Sequence, residues 1–113
     1  MQIQQSNRDG ITIVAPAGRI DTTTSSSVED AVHQAVDRGA RNLVVDLAGV
    51  EYISSAGLRV FLVLAKRMRD LQGRLVLSGM TEPVRQVFQL AGFMPLFRVE
   101  ATQDAAMSTF TRA

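Results

Sequence analysis

The sequence predicts an α/β domain with a mixed sheet of four to five strands packed with about four helices. Three features point to it. Strand-like and helix-like apolar patterns alternate along all 113 residues, with no linker, repeat or low-complexity tract between them. Two apolar runs near the start are separated by Asn7-Arg8-Asp9-Gly10, and Asp-Gly in a short polar gap signals a hairpin. The run Leu43-Val44-Val45-Asp46-Leu47 is almost wholly apolar, as expected of a central strand covered on both faces. A chain of this length suits one core and one domain, residues 1–113.

In chain order, residues 2–6 and 11–17 form the antiparallel hairpin. Thr22 to Ser27 then offers several helix caps. Val28, Ala31, Val32, Ala35 and Val36 follow at helical spacing, with Gly39 as the stop. After the strand 43–47 and a short loop, a second helix spans about 55–71. Its apolar face carries Leu58, Phe61, Leu62, Ala65 and Met68, and Gly73 is its expected terminator. Residues 74–77 make another strand, and a strand–helix–strand unit of this size closes as a parallel crossover. Thr81-Glu82-Pro83 places cap, acid and proline in the favoured order for a third helix ending at Gly92. Residues 96–99 are a last short strand, and Thr102 caps a helix reaching about Phe110.

Composition narrows the function. A net charge of +1 with 20% charged residues gives no basic face for nucleic acid. Lys66, Arg67 and Arg69 do cluster, but Asp70 follows and no aromatic residue interleaves, which describes a solvated helix face. The absence of cysteine removes disulfides and thiolate metal sites. Residues 1–6 lack the basic start and apolar core of a signal peptide, and the longest apolar run, 60–65, is too short for membrane insertion. The expected location is cytoplasmic.

The chemistry concentrates at Ser54-Ser55-Ala56-Gly57-Leu58-Arg59, where a strand gives way to a helix. Unpaired N–H groups in the first helical turn favour negative charge, so a phosphate on either serine would be well received. A hydrolase nucleophile also sits at such a turn, within Gly-x-Ser-x-Gly. Here Ile53 stands two before Ser55, where the strained turn needs glycine, and the only histidine, His33, precedes the serines. No catalytic residue is assigned. His33, between Val32 and Gln34, reads as a surface residue with no second histidine or cysteine to share a metal. Asp21 and Asp46 near the strand ends are read as capping and loop residues rather than cation ligands. No glycine-rich nucleotide loop is present, and no metal or cofactor is implied.

The strand, the loop and the Ile-Ser-Ser-Ala-Gly-Leu-Arg turn resemble those of STAS domains, and within them the bacterial anti-sigma factor antagonists. Gly18-Arg19-Ile20-Asp21 is similar to the family's Gly-x-Leu/Ile-Asp segment, and residues 43–47 to its Val-Val-x-Asp-Leu strand. The resemblance runs from about Ile3 to Phe110. It implies partner switching: the unphosphorylated protein binds an anti-sigma factor serine kinase and frees a sigma factor or other client. ATP-dependent phosphorylation then releases the complex, and a PP2C-type phosphatase resets it. Many relatives read Asp-Ser-Ser-Gly, with the modified serine directly before glycine, where this chain has Ala56. By resemblance to the Ser-Ser-Ala-Gly members the acceptor is Ser55, with Ser54 second. The partner surface then comprises Asp21, Ser54, Ser55, Ala56, Gly57, Leu58, Arg59 and Val63. The alternative is a STAS-like subunit of a membrane (lipid) transport ATPase, which needs no phosphorylation.

Overall fold

The computed structural model describes residues 1–111. Asp9 and Gly10 both take positive φ, 53° and 79°, as a two-residue hairpin turn of this twist requires. The turn is thus shorter than the four-residue gap expected. It lets β1 (Gln2–Arg8) pair antiparallel with β2 (Ile11–Ile20) from Arg8↔Ile11 to Gln2↔Ala17. On the other edge of β2, β3 (Asn42–Asp46) runs parallel to Thr12–Val14. Beyond it β4 (Gly49–Ile53) takes over parallel pairing with residues 17–20. β5 (Arg74–Ser78) lies parallel to β3, and β6 (Arg98–Glu100) parallel to β5. The order is β1-β2-β3-β5-β6, with β4 beside β2.

The mixed sheet therefore has six strands, where four to five were expected. The extra strand is β4, which the sequence presents as a loop. Only Val50 and Ile53 of its five residues are buried, and that spacing of three hides the alternation by which a strand is recognised. The cause is a bulge in β4 itself: Gly18 pairs with Val50 and Arg19 with Tyr52, which leaves Glu51 as the extra residue.

Three helices, α1 (Ser25–Asp37), α2 (Ser55–Asp70) and α3 (Glu82–Leu90), cover one face of the sheet. Their core joins Val28, Val32, Phe61, Leu64, Val84 and Phe88 to Val14, Leu43, Val45 and Leu77. Phe61 and Phe88 are wholly buried with ring centroids 6.2 Å apart, and each such side chain contributes about 1.5–3 kcal/mol through burial. The alternate residues Ile11, Ile13, Val44 and Val76 face the other way, beneath α4 (Gln103–Thr111) and its Ala106 and Met107.

Several local expectations are corrected. Leu62 is not on the core face of α2: it is 39% exposed, while Val60 and Leu64 are buried. The residue that turns the chain after α2 is Gln72, with φ 58°. Gly73 is needed for space instead, since a Cβ there would meet Met68 Cε at 2.7 Å and the Arg41 carbonyl at 2.9 Å. The Thr81 hydroxyl makes no cap and donates to the Val50 carbonyl at 2.9 Å, tying α3 to β4. Before β6, Met94–Leu96 forms a single 3₁₀ turn, so the last strand starts two residues later than expected.

Candidate functional site

Ser54 and Ser55 are adjacent but differently placed. Ser54 has extended backbone dihedrals and is the N-cap of α2, its hydroxyl accepting the Gly57 N–H at 3.3 Å. Its own N–H donates to the Ile20 carbonyl at 2.8 Å, and its carbonyl accepts from Leu58 N–H at 2.9 Å. These bonds fix the start of α2 against the end of β2. Ser55 is the first residue of the helix, exposed, with no hydrogen bond from its hydroxyl to any described residue.

Gly57 explains how the turn sits so close to the sheet. A Cβ there would stand 2.7 Å from both Ile20 Cγ2 and Ile53 Cγ1. Leu58 is 6% exposed and belongs to the core. Of the expected partner surface, Gly57 and Leu58 thus lie beneath it and position it. Ser55 and Arg59 are exposed, Ala56 is half-buried, and Val63, one turn beyond Arg59, is 44% exposed.

Asp21 organises the neighbouring β2–α1 loop. One carboxylate oxygen accepts from the Thr23 hydroxyl at 2.7 Å, the Thr23 N–H at 2.9 Å and the Thr24 N–H at 3.2 Å. Thr24, the N-cap position of α1, turns its hydroxyl away from the helix to donate to the Arg19 carbonyl at 2.6 Å. The Thr23 hydroxyl first, and its N–H next, hold the Asp21 carboxyl below the ordinary aspartate range. On the adjoining strands Arg19 stacks on the Tyr52 ring, 4.5 Å from its centroid.

The N-terminal turns of α1 and α2 meet in an open groove of about 390 Å³, lined by Ser25, Ser26 and Glu29 from α1 and Ser55, Ala56 and Arg59 from α2. Glu29 and Arg59 form no ion pair with a described residue. The groove therefore carries one free acid and one free base beside the Ser55 hydroxyl. Ser25, Ser26 and Glu29 were not foreseen as site residues. Nothing in their local sequence marks them, because only the packing of α1 against α2 brings them there. Neither Asp21 nor Val63 lines the groove.

His33 is half-buried rather than on the surface. Its Nδ1 lies 2.9 Å from Arg67 Nη1, and Arg67 also bonds Asp37 at 2.6 Å, bracing α1 against α2. A guanidinium can only donate, so the facing ring nitrogen accepts. Asp46 is the last residue of β3 rather than a loop residue; its carboxylate accepts the Ala48 N–H of the following loop and the Gln103 amide. Among the described residues no acid, histidine or cysteine cluster suited to a metal occurs, and no helix is long and apolar enough to cross a membrane.

The family model for the STAS domain matches residues 2–106. The chain belongs to the STAS family. Within it, this STAS domain is 38% identical over 113 residues to BtrV of Bordetella bronchiseptica, described as an anti-sigma factor antagonist; the match covers 100% of this chain and 97% of BtrV. A Thermotoga maritima protein of the same description superposes with a TM-score of 0.92 at 21% identity, covering 97% of this chain and 95% of that one. The anti-sigma factor antagonist SpoIIAA of Bacillus, in its unphosphorylated form, gives a TM-score of 0.82 at 20% identity, with 97% and 96% covered. These two structures share the fold. Antagonists of this family regulate by exchanging protein partners and are not catalysts.

Proposed function

We propose that this STAS domain is an anti-sigma factor antagonist switched by phosphorylation of Ser55. In the unphosphorylated state the groove between α1 and α2 binds an anti-sigma factor serine kinase, which frees the kinase's sigma factor or other client. The kinase transfers phosphate from ATP to the Ser55 hydroxyl and the complex separates; a PP2C-type phosphatase restores the serine. The observation that carries this reading is the division between the serines. Ser54 is bound into the fold, while Ser55 stands exposed and unbonded on the groove.

The electrostatics support a switch that changes binding without unfolding the domain. A phosphoserine adds about −1.5 to −2 charges at neutral pH. At Ser55 it joins the positive end of α2 and has Arg59 one turn on, both favourable. Glu29 across the groove opposes it. A groove balanced between one acid and one base becomes strongly negative and is partly filled, so a partner fitted to the neutral groove loses its contact. Asp21 serves this surface by holding the β2–α1 loop that leads into Ser25 and Ser26 at the start of α1.

The test is capture from host lysate on a Ser55→Ala bait, followed by mass spectrometry. Removing the acceptor hydroxyl traps the complex that phosphorylation releases. Recovery of a small serine kinase of the anti-sigma type supports the reading. Recovery of a transport ATPase without a kinase overturns it and leaves Ser55 a simple helix-start residue.

A further inference from the structure

A second groove, away from Ser55, runs along the later turns of α2. It holds about 450 Å³ and is lined by Leu62, Ala65, Lys66, Arg69 and Leu96. Leu62 is 39% and Leu96 54% exposed, and both line the same trough. Leu96 comes from the 3₁₀ turn before β6, so two separate segments form the walls. Lys66 and Arg69 make no ion pair with any described residue. Asp70, the acid of this stretch, is not among the lining residues. A trough with an apolar floor and two free cations complements an amphipathic segment whose flanks are acidic.

We infer that this groove docks an acidic amphipathic helix of a second protein, and that the docking is independent of the state of Ser55. Leucine-type anchors on such a helix would enter between Leu62 and Leu96 while its carboxylates meet Lys66 and Arg69. At 1.5 Å per residue, Leu62 lies about 10 Å and Arg69 about 21 Å along α2 from Ser55. Those separations exceed the Debye length of about 8 Å at physiological salt, so a phosphate on Ser55 is largely screened from the basic end. The domain would then hold one partner continuously while the Ser55 groove exchanges another.

The experiment is an NMR titration of ¹⁵N-labelled protein with a synthetic three-turn peptide bearing leucines at i, i+3 and i+7 and glutamates on its flanks. A matched peptide with lysine for glutamate, and phosphatidylserine vesicles, are titrated alongside. The acidic peptide is expected to shift the amides of Leu62, Ala65, Lys66, Arg69 and Leu96, with affinity falling as salt rises. The double substitution Lys66→Glu with Arg69→Glu should weaken it about tenfold or more, Leu96→Asp likewise, and Ser55→Asp should leave it unchanged. These side chains are exposed, and the spectrum of each variant reports its fold. The inference is overturned if the acidic peptide does not bind, if the lysine peptide binds equally, if the shifts centre on Ser55, or if only the vesicles perturb these residues.

Discussion

The Ser54 hydroxyl accepts the Gly57 N–H at 3.3 Å, which makes Ser54 part of the scaffold and leaves its neighbour Ser55 free. The two serines should therefore separate cleanly in stability measurements. Ser54→Ala removes an N-cap and is expected to cost about 1 kcal/mol. Ser55→Ala touches no intramolecular bond and should stay within about 0.5 kcal/mol of wild type. Urea denaturation of both variants checks this; equal losses would contradict the division of roles.

Gly57→Ala sets two effects against each other. Alanine favours a helix over glycine by about 1 kcal/mol. The new methyl, however, would lie 2.7 Å from the buried side chains of Ile20 and Ile53. Overpacking of that kind costs about 1–3 kcal/mol, so the steric term is expected to win. A lowered melting temperature confirms it, and an unchanged or raised one means that the start of α2 yields more easily than the contacts indicate.

The Asp21 turn has a pH dependence with a fixed sign. Because its folded carboxyl titrates below the ordinary value of 3.8, its ordering of the loop is fully present above that value. It is lost as pH falls from there through the depressed folded value. A carboxyl-detected NMR titration should show Asp21 titrating below a peptide aspartate, with the Thr23 amide resonance moving at the same midpoint. A Thr23 amide insensitive to that titration would show that the loop does not depend on the carboxylate.

Arg67 joins three groups, the His33 ring, the His33 carbonyl and Asp37. Asp37 is 64% exposed, and exposed ion pairs contribute about 0–1 kcal/mol. Arg67→Ala, which also strips the link to His33 and the packing of the long stem, should therefore destabilise more than Asp37→Ala. Chemical denaturation of both variants decides the order. Equal effects would reduce Arg67 to its surface ion pair.

Much of this architecture was legible because local signals and tertiary environment agree. Asp9-Gly10, the apolar strand around Val44 and the helical spacing of Val28, Val32 and Val36 each lead to the element observed. What escaped depends on distant packing. β4 was hidden because the bulge at Glu51 breaks its alternation, and Leu62 was misplaced because α2 rolls so that Val60 and Leu64 face the sheet. The serine turn of the site was readable, as was the position of Arg59 one turn on. Ser25, Ser26 and Glu29 were not, since they reach the groove only through the approach of one helix to another.

The most direct test is phosphosite mapping by tandem mass spectrometry of the protein purified from its native host, together with the Ser54→Ala and Ser55→Ala variants. The account predicts phosphate on Ser55 in wild type, retained in Ser54→Ala and absent from Ser55→Ala. Phosphate on Ser54, on the Thr22 to Ser27 run, or on neither serine in any growth state would contradict it.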